Sequence, residues 1–111
     1  MRVRLLRQDT VDDFAENHAN GRIHFNSFLQ ALKYADWQRA EDITSTIRGN
    51  LLGGGSNRVV FDLGGNGRNA FRIICMYAFG RQLVRLYVTW IGTHEQYNAL
   101  TPQNKLTVWN H

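Results

Sequence analysis

Three side chains in the second half of the chain, Arg72, His94 and Tyr97, are of types that hold negative charge and move protons. Arg72 interrupts the apolar run 70–79, where a charge is costly unless its face is open or paired, so it calls for an anionic partner. Arg85 and Tyr87 lie on the next predicted strand, and antiparallel pairing across the Gly80 turn sets them beside Arg72 on one face. His94 and Tyr97 stand at i and i+3 on a short helix, so both project the same way from the end of the sheet. Histidine titrates near neutrality, and a phenol gives or accepts a proton where a neighbouring guanidinium lowers its pKa. The set contains what phosphodiester cleavage requires: a cation for developing negative charge, and two groups to move protons at a ribose hydroxyl and a leaving oxygen.

Each residue also has a plainer role open to it. An arginine within a strand often pairs with a structural carboxylate, and Asp62 on the neighbouring predicted strand is placed for that. A histidine in a first helical turn is often a partly exposed surface group, and a tyrosine at helical spacing is often core or rim. Cys75, inside an apolar strand, reads as a small buried hydrophobe. His18, His24 and His111 have no metal-ligand spacing with His94 or with a carboxylate pair, so no metal or cofactor is expected. The run Gly64-Gly65-Asn66-Gly67 is no phosphate loop, because it lacks the trailing Gly-Lys-Ser/Thr and joins two strands.

The elements that must position these groups follow from periodicity. Residues 2–6 alternate, with Val3 and Leu5 opposite Arg2 and Arg4, and read as a strand whose basic residues line a solvated edge. Thr10 is a predicted cap for a helix carrying Val11, Phe14, Ala15 and His18, halted at Asn20-Gly21. Phe25, Phe28, Leu29 and Leu32 define a second amphipathic helix that Trp37 closes over, and Ala40, Ile43 and Ile47 a short third one ending at Gly49. Residues 50–57, with three consecutive glycines, read as loop. From Arg58 the period becomes two. Strands at 58–63, 70–79 and 83–91 form a meander, the last with Val84, Leu86, Val88 and Trp90 on its core face. Thr93 and Gln96 make a capping box for a final helix over 94–100. The expected fold class is α+β: a small antiparallel sheet of the N-terminal strand and the meander, helices on one face, and a short C-terminal helix.

Length and composition bound the function. A chain of 111 residues supports one domain over 1–111, and 43% hydrophobic residues suffice for a core. The longest apolar run, 73–79, falls far short of the ~20 residues of a membrane span. No export signal is visible after Met1, and a single cysteine rules out an internal disulfide, so a cytoplasmic location is expected. The +4 charge favours a polyanionic partner.

Three stretches, 58–66, 71–74 and 91–97, read Arg-Val-Val-Phe-Asp-Leu-Gly-Gly-Asn, Phe-Arg-Ile-Ile and Ile-Gly-Thr-His-Glu-Gln-Tyr. Together they resemble the HigB family of toxins from bacterial toxin–antitoxin pairs, with its Val-Phe-Asn-Ile-Gly-Gly-Asn strand end, Tyr-Arg-Leu strand and closing Gly-Thr-His-x-x-Tyr-Asp. The resemblance implies a RelE-like fold and an endoribonuclease that cuts mRNA on the translating ribosome, without a metal, held inactive by a cognate helix-turn-helix antitoxin through which it can also oligomerise. It implies active-site roles for Arg72, His94 and Tyr97, and Asn66 shaping the nearby turn. Arg68 takes the phosphate-contact place of a missing lysine, and Arg85, Tyr87 and Lys105 complete the expected RNA contacts. Asp62 stands where the family has Asn, and Asn98 where it has Asp after the tyrosine. Two other functions remain open: a toxin of this fold that binds a protein target without catalysis, and an inactive module kept for antitoxin or nucleic-acid binding.

Overall fold

A computed structural model describes residues 1–64 and 70–109. One five-stranded sheet, in the order β1-β5-β4-β3-β2, carries the fold. β1 (Arg2–Leu6) leads into α1 (Gln8–Asn17), and a 3-10 turn at Ala19–Gly21 into α2 (Arg22–Lys33). α3 (Ala40–Thr46) precedes β2 (Gly49–Leu51), β3 (Arg58–Leu63), β4 (Phe71–Phe79) and β5 (Leu83–Thr93), and α4 (His94–Asn98) and α5 (Pro102–Lys105) close the chain. The α+β class expected from the sequence is the architecture found, with two refinements. β1 runs parallel to β5, so the sheet is mixed and not wholly antiparallel. β2, expected as the start of a loop, pairs with the free edge of β3 through backbone bonds that leave no mark in side-chain alternation.

The N-terminal helices cover one face of the sheet. Phe25, Phe28 and Leu32 of α2 are buried against Phe61, Phe71 and Ile73, and Trp37 is wholly enclosed, its indole N–H donating to Thr46 Oγ1 at 2.9 Å. α1 begins at Gln8, two residues before the Thr10 cap read from the sequence. Arg7, at φ 69°, turns the chain straight out of β1, and its carbonyl accepts the Thr10 N–H. His18 stacks on Phe14 with ring centroids 3.8 Å apart and packs edge-on to Phe71, a structural use of its ring.

β5 departs from simple alternation. Ile74 pairs with Trp90 but Cys75 with Val88, so Thr89 is an extra residue, a bulge that points its hydroxyl at the Ile74 carbonyl, 3.2 Å away. Val84, Leu86 and Val88 face the helices as expected, but beyond the bulge Ile91 takes that face. Trp90 is therefore turned to the opposite side, where it packs with Val60 and Ile74. Cys75 lies in the helix-side core, and burial pushes its thiol pKa well up, as befits an inert hydrophobe.

The second face of the sheet is covered by the C-terminal segment. α4 ends at Asn98, short of the predicted 100, and a further turn, α5, follows. Thr101 caps it, accepting the Asn104 N–H at 3.0 Å, and Pro102 occupies its first position. Among the described residues no helix is long and apolar enough to cross a membrane.

Candidate active site

The second face is also where the charged groups collect. Arg58 and Asp62 of β3, Arg72 of β4 and Gly92 of β5 fall on it by alternation and register. Arg72 lies directly opposite Asp62 on one side and Gly92 on the other. Its Nε meets Asp62 Oδ1 at 3.0 Å and its Nη1 donates to the Phe71 carbonyl at 2.9 Å, which fixes a guanidinium only 5% exposed. The carboxylate the sequence offered as a structural partner is thus engaged. Arg48 reaches the same carboxylate at 4.0 Å from the solvent side. A groove of about 270 Å³ lies on the helix side, where α2 and α3 meet the end of β3, lined among others by His24, Phe28, Thr46, Arg48 and Asp62; Arg72, His94 and Tyr97 do not line it.

Gly92 has a geometric reason to lack a side chain. A Cβ there would meet the Trp90 ring at 2.5 Å and Gln96 Oε1 at 2.8 Å. The bare strand lets the indole lie over it, and Tyr97 then packs beside that indole at 6.1 Å between centroids.

α4 starts where β5 ends, and the capping box holds the junction as the sequence predicts. Thr93 Oγ1 accepts the Gln96 N–H at 3.1 Å, and Gln96 Oε1 accepts the Thr93 N–H at 2.9 Å. The His94 N–H donates to the Ala70 carbonyl at 3.0 Å, tying the helix start to the strand that bears Arg72. Asn98, one turn on, sets its amide nitrogen 3.2 Å from His94 Nε2. The other ring nitrogen, Nδ1, is buried without a hydrogen-bond partner among the described residues.

Tyr97, half-buried over Trp90, senses both charges of the strand pair. Its phenol pKa is raised above the ordinary value, first by burial and then by the Asp62 carboxylate, while Arg72 pulls the other way. The sequence led us to expect a guanidinium to lower it; Asp62 offsets that cation and desolvation decides the sign. A phenol with an ordinary pKa of ~10 is already protonated at neutral pH, and this upward shift leaves it so. The Lys105 ammonium sits 4.4 Å from the centre of the Tyr97 ring.

Arg72, Tyr97 and Lys105 are accordingly gathered at one end of the second face, and His94 stands three residues before Tyr97 at the start of α4, its backbone tied to Ala70. Arg85 and Tyr87 are on that face but do not flank Arg72. They pair with Ala78 and Met76, roughly 20 and 13 Å along the strand from it at ~3.3 Å per residue. Asn66 and Arg68 lie outside the described residues. The sequence marks Asp62 as a structural partner of Arg72, and their register follows from counting back across the intervening turn. Arg58 was not singled out at all.

The search of curated proteins finds no match for this chain. The model of the HigB toxin family, described as the RelE-like toxic component of a toxin–antitoxin system, matches residues 22–100, a stretch from the start of α2 to just past α4 that holds Asp62, Arg72, His94 and Tyr97. The chain belongs to the HigB family of RelE-like toxins, the toxic components of toxin–antitoxin systems.

Proposed function

We propose that the protein is an endoribonuclease that cleaves mRNA on the translating ribosome in the cytoplasm, by a reaction that calls on no metal ion, and that a helix-turn-helix antitoxin of the HigA type restrains it. The observation that carries this reading is the half-buried Tyr97 phenol within electrostatic reach of the Arg72–Asp62 pair, with His94 one turn before it at the start of the same helix. In this reading the His94 imidazole takes the proton of a ribose 2′-hydroxyl as its oxygen attacks the adjacent phosphorus. Arg72 neutralises the charge that grows on the phosphorane, and Tyr97 gives its proton to the departing 5′-oxygen. The products are a 2′,3′-cyclic phosphate and a free 5′-hydroxyl. Each proton transfer contributes ~10²–10⁴ in rate, and Arg72 supplies the charge stabilisation. Lys105 is the proposed RNA contact nearest the reaction, with Arg85 and Tyr87 reaching nucleotides farther along the strand; Asn66 and Arg68 are proposed RNA contacts from the resemblance alone.

Induction with mapping of mRNA 5′ ends, with and without translation, tests the proposal. New 5′ ends that need translation, lost in Arg72→Ala and His94→Ala along with growth arrest, are the expected result. Full toxicity in both variants removes these residues from the mechanism. One observation favours a second reading, a toxin of this fold that binds a protein target: the Arg72 guanidinium is buried and already paired with Asp62. It predicts growth arrest with intact mRNA.

A further inference from the structure

Arg58 is a buried cation with no part in the reaction proposed above. It is 4% exposed, its pKa lowered by burial, and no described carboxylate forms an ion pair with it. A dry guanidinium must be met by acceptors. Those it finds are 47 and 50 residues away: Nη1 donates to the carbonyls of Lys105, at 3.4 Å, and Val108, at 3.0 Å. The Trp109 ring lies over the same group, 5.5 Å from the guanidinium carbon.

The segment so held has little else to keep it in place. α5 is a single turn with no buried residue, too short to be stable alone. Val108 adds an apolar contact with the Val60, Ile74 and Trp90 cluster. Yet this segment carries Lys105, whose ammonium stands against Tyr97.

We propose that Arg58 is a positioning residue, a latch that fastens residues 101–109 across the second sheet face and so sets the Lys105 ammonium beside Tyr97, where it meets an RNA phosphate. The role given to Lys105 rests on the nuclease reading; the latch itself does not. Loosening it releases a binding cation and leaves the reacting groups alone, so KM for RNA rises while kcat holds.

Hydrogen exchange and steady-state cleavage of ribosome-bound mRNA test this in Arg58→Gln, Trp109→Ala, Lys105→Ala and the Arg58→Gln/Lys105→Ala double variant. Arg58→Gln and Trp109→Ala are expected to speed exchange across 101–109 and to raise KM, by up to about fivefold for Arg58→Gln, the size of one exposed ion pair. The double variant is expected to match Lys105→Ala, because both changes remove one contact. Should Arg58→Gln not fold, Trp109→Ala, half-exposed and on the same latch, decides by exchange and KM alone. Unchanged exchange in 101–109, or KM effects that multiply in the double variant, overturns the latch. A wild type that cuts no mRNA overturns the nuclease reading instead, and the exchange arm still judges the latch.

Discussion

Asp62 sits at the point where structure and chemistry compete. Set against the family pattern, the carboxylate and the amide have changed places: Asp62 stands on the strand, and Asn98 on the helix. The exchange moves the negative charge from the turn beside His94 to the strand beside Arg72, where it pairs at 3.0 Å and also lifts the Tyr97 phenol. Asp62→Asn leaves a buried guanidinium without its counterion, a loss of about 3 kcal/mol for pairs of this kind, read as a fall in the urea midpoint. It also removes one of the two causes that raise Tyr97. Spectrophotometric titration of phenolate is then expected to show the latest-ionising tyrosine moving to lower pH in Asp62→Asn, and vanishing in Tyr97→Phe. Tyr97→Phe keeps the ring over Trp90 and loses only the proton, so cleavage is expected to fall about a hundredfold or more with stability nearly unchanged. Folded-state raising of a phenol has a definite sign in stability. It leaves folding unaffected below the free tyrosine pKa of ~10 and weakens it as pH climbs above that value, a decline that Tyr97→Phe is expected to blunt.

One element, α4, decides whether His94 and Tyr97, the proposed proton-moving groups, are held. It has five residues and no buried side chain, so its geometry depends on the Thr93–Gln96 capping box and on the bond from His94 N–H to Ala70. Thr93→Ala removes the acceptor for Gln96 and is expected to cost about 1 kcal/mol, near 4 °C in Tm for a domain of roughly this size. The loss in cleavage rate is expected to exceed that in stability, because His94 and Tyr97 both hang from this turn. Its cap was legible in the sequence, as were α2, the meander and the pairing partner of Arg72, since each follows from spacing along a short stretch. What was hidden depended on distant or extra residues. The parallel seat of β1 on β5 joins segments about 80 positions apart, and β2 is recorded only in backbone bonds. The Thr89 bulge turned Trp90 to the other face because a single extra residue inverts every later side chain of a period-two strand. The same period carried Arg85 and Tyr87 onto the face of Arg72 while saying nothing of how far along it they would lie. The cap of α5 was written in Thr101-Pro102, a cap-and-first-position pair that apolar periodicity does not detect.

At the scale of the whole molecule, charge limits what the protein does alone. Of thirteen Lys and Arg side chains, Arg58 and Arg72 are buried, and Arg2 and Arg4 of the edge strand β1 are exposed at the far side of the second face, where Arg4 pairs in register with Arg85. Beside Tyr97 the described cations are Lys105 and the buried Arg72, so about two phosphate contacts are expected there at once. Counterion release from single-stranded RNA scales as ~0.7 per phosphate contact, so two contacts give about a sevenfold loss of affinity between 50 and 200 mM salt. The expected outcome for free RNA, measured by fluorescence anisotropy, is weak binding with this shallow slope. Cleavage on the ribosome is expected to follow a different dependence. In the proposed reaction the ribosome presents the mRNA, so the salt sensitivity is expected to reflect docking on the ribosome instead of contacts at the cut. Matching slopes for the two would mean that the isolated chain selects its RNA unaided, and would remove the ribosome from the proposed reaction. A steep slope for free RNA, near that of six or more phosphates, would instead place a long RNA track on this surface, for which Arg85 and Tyr87, farther along the second face, are the first side chains to replace.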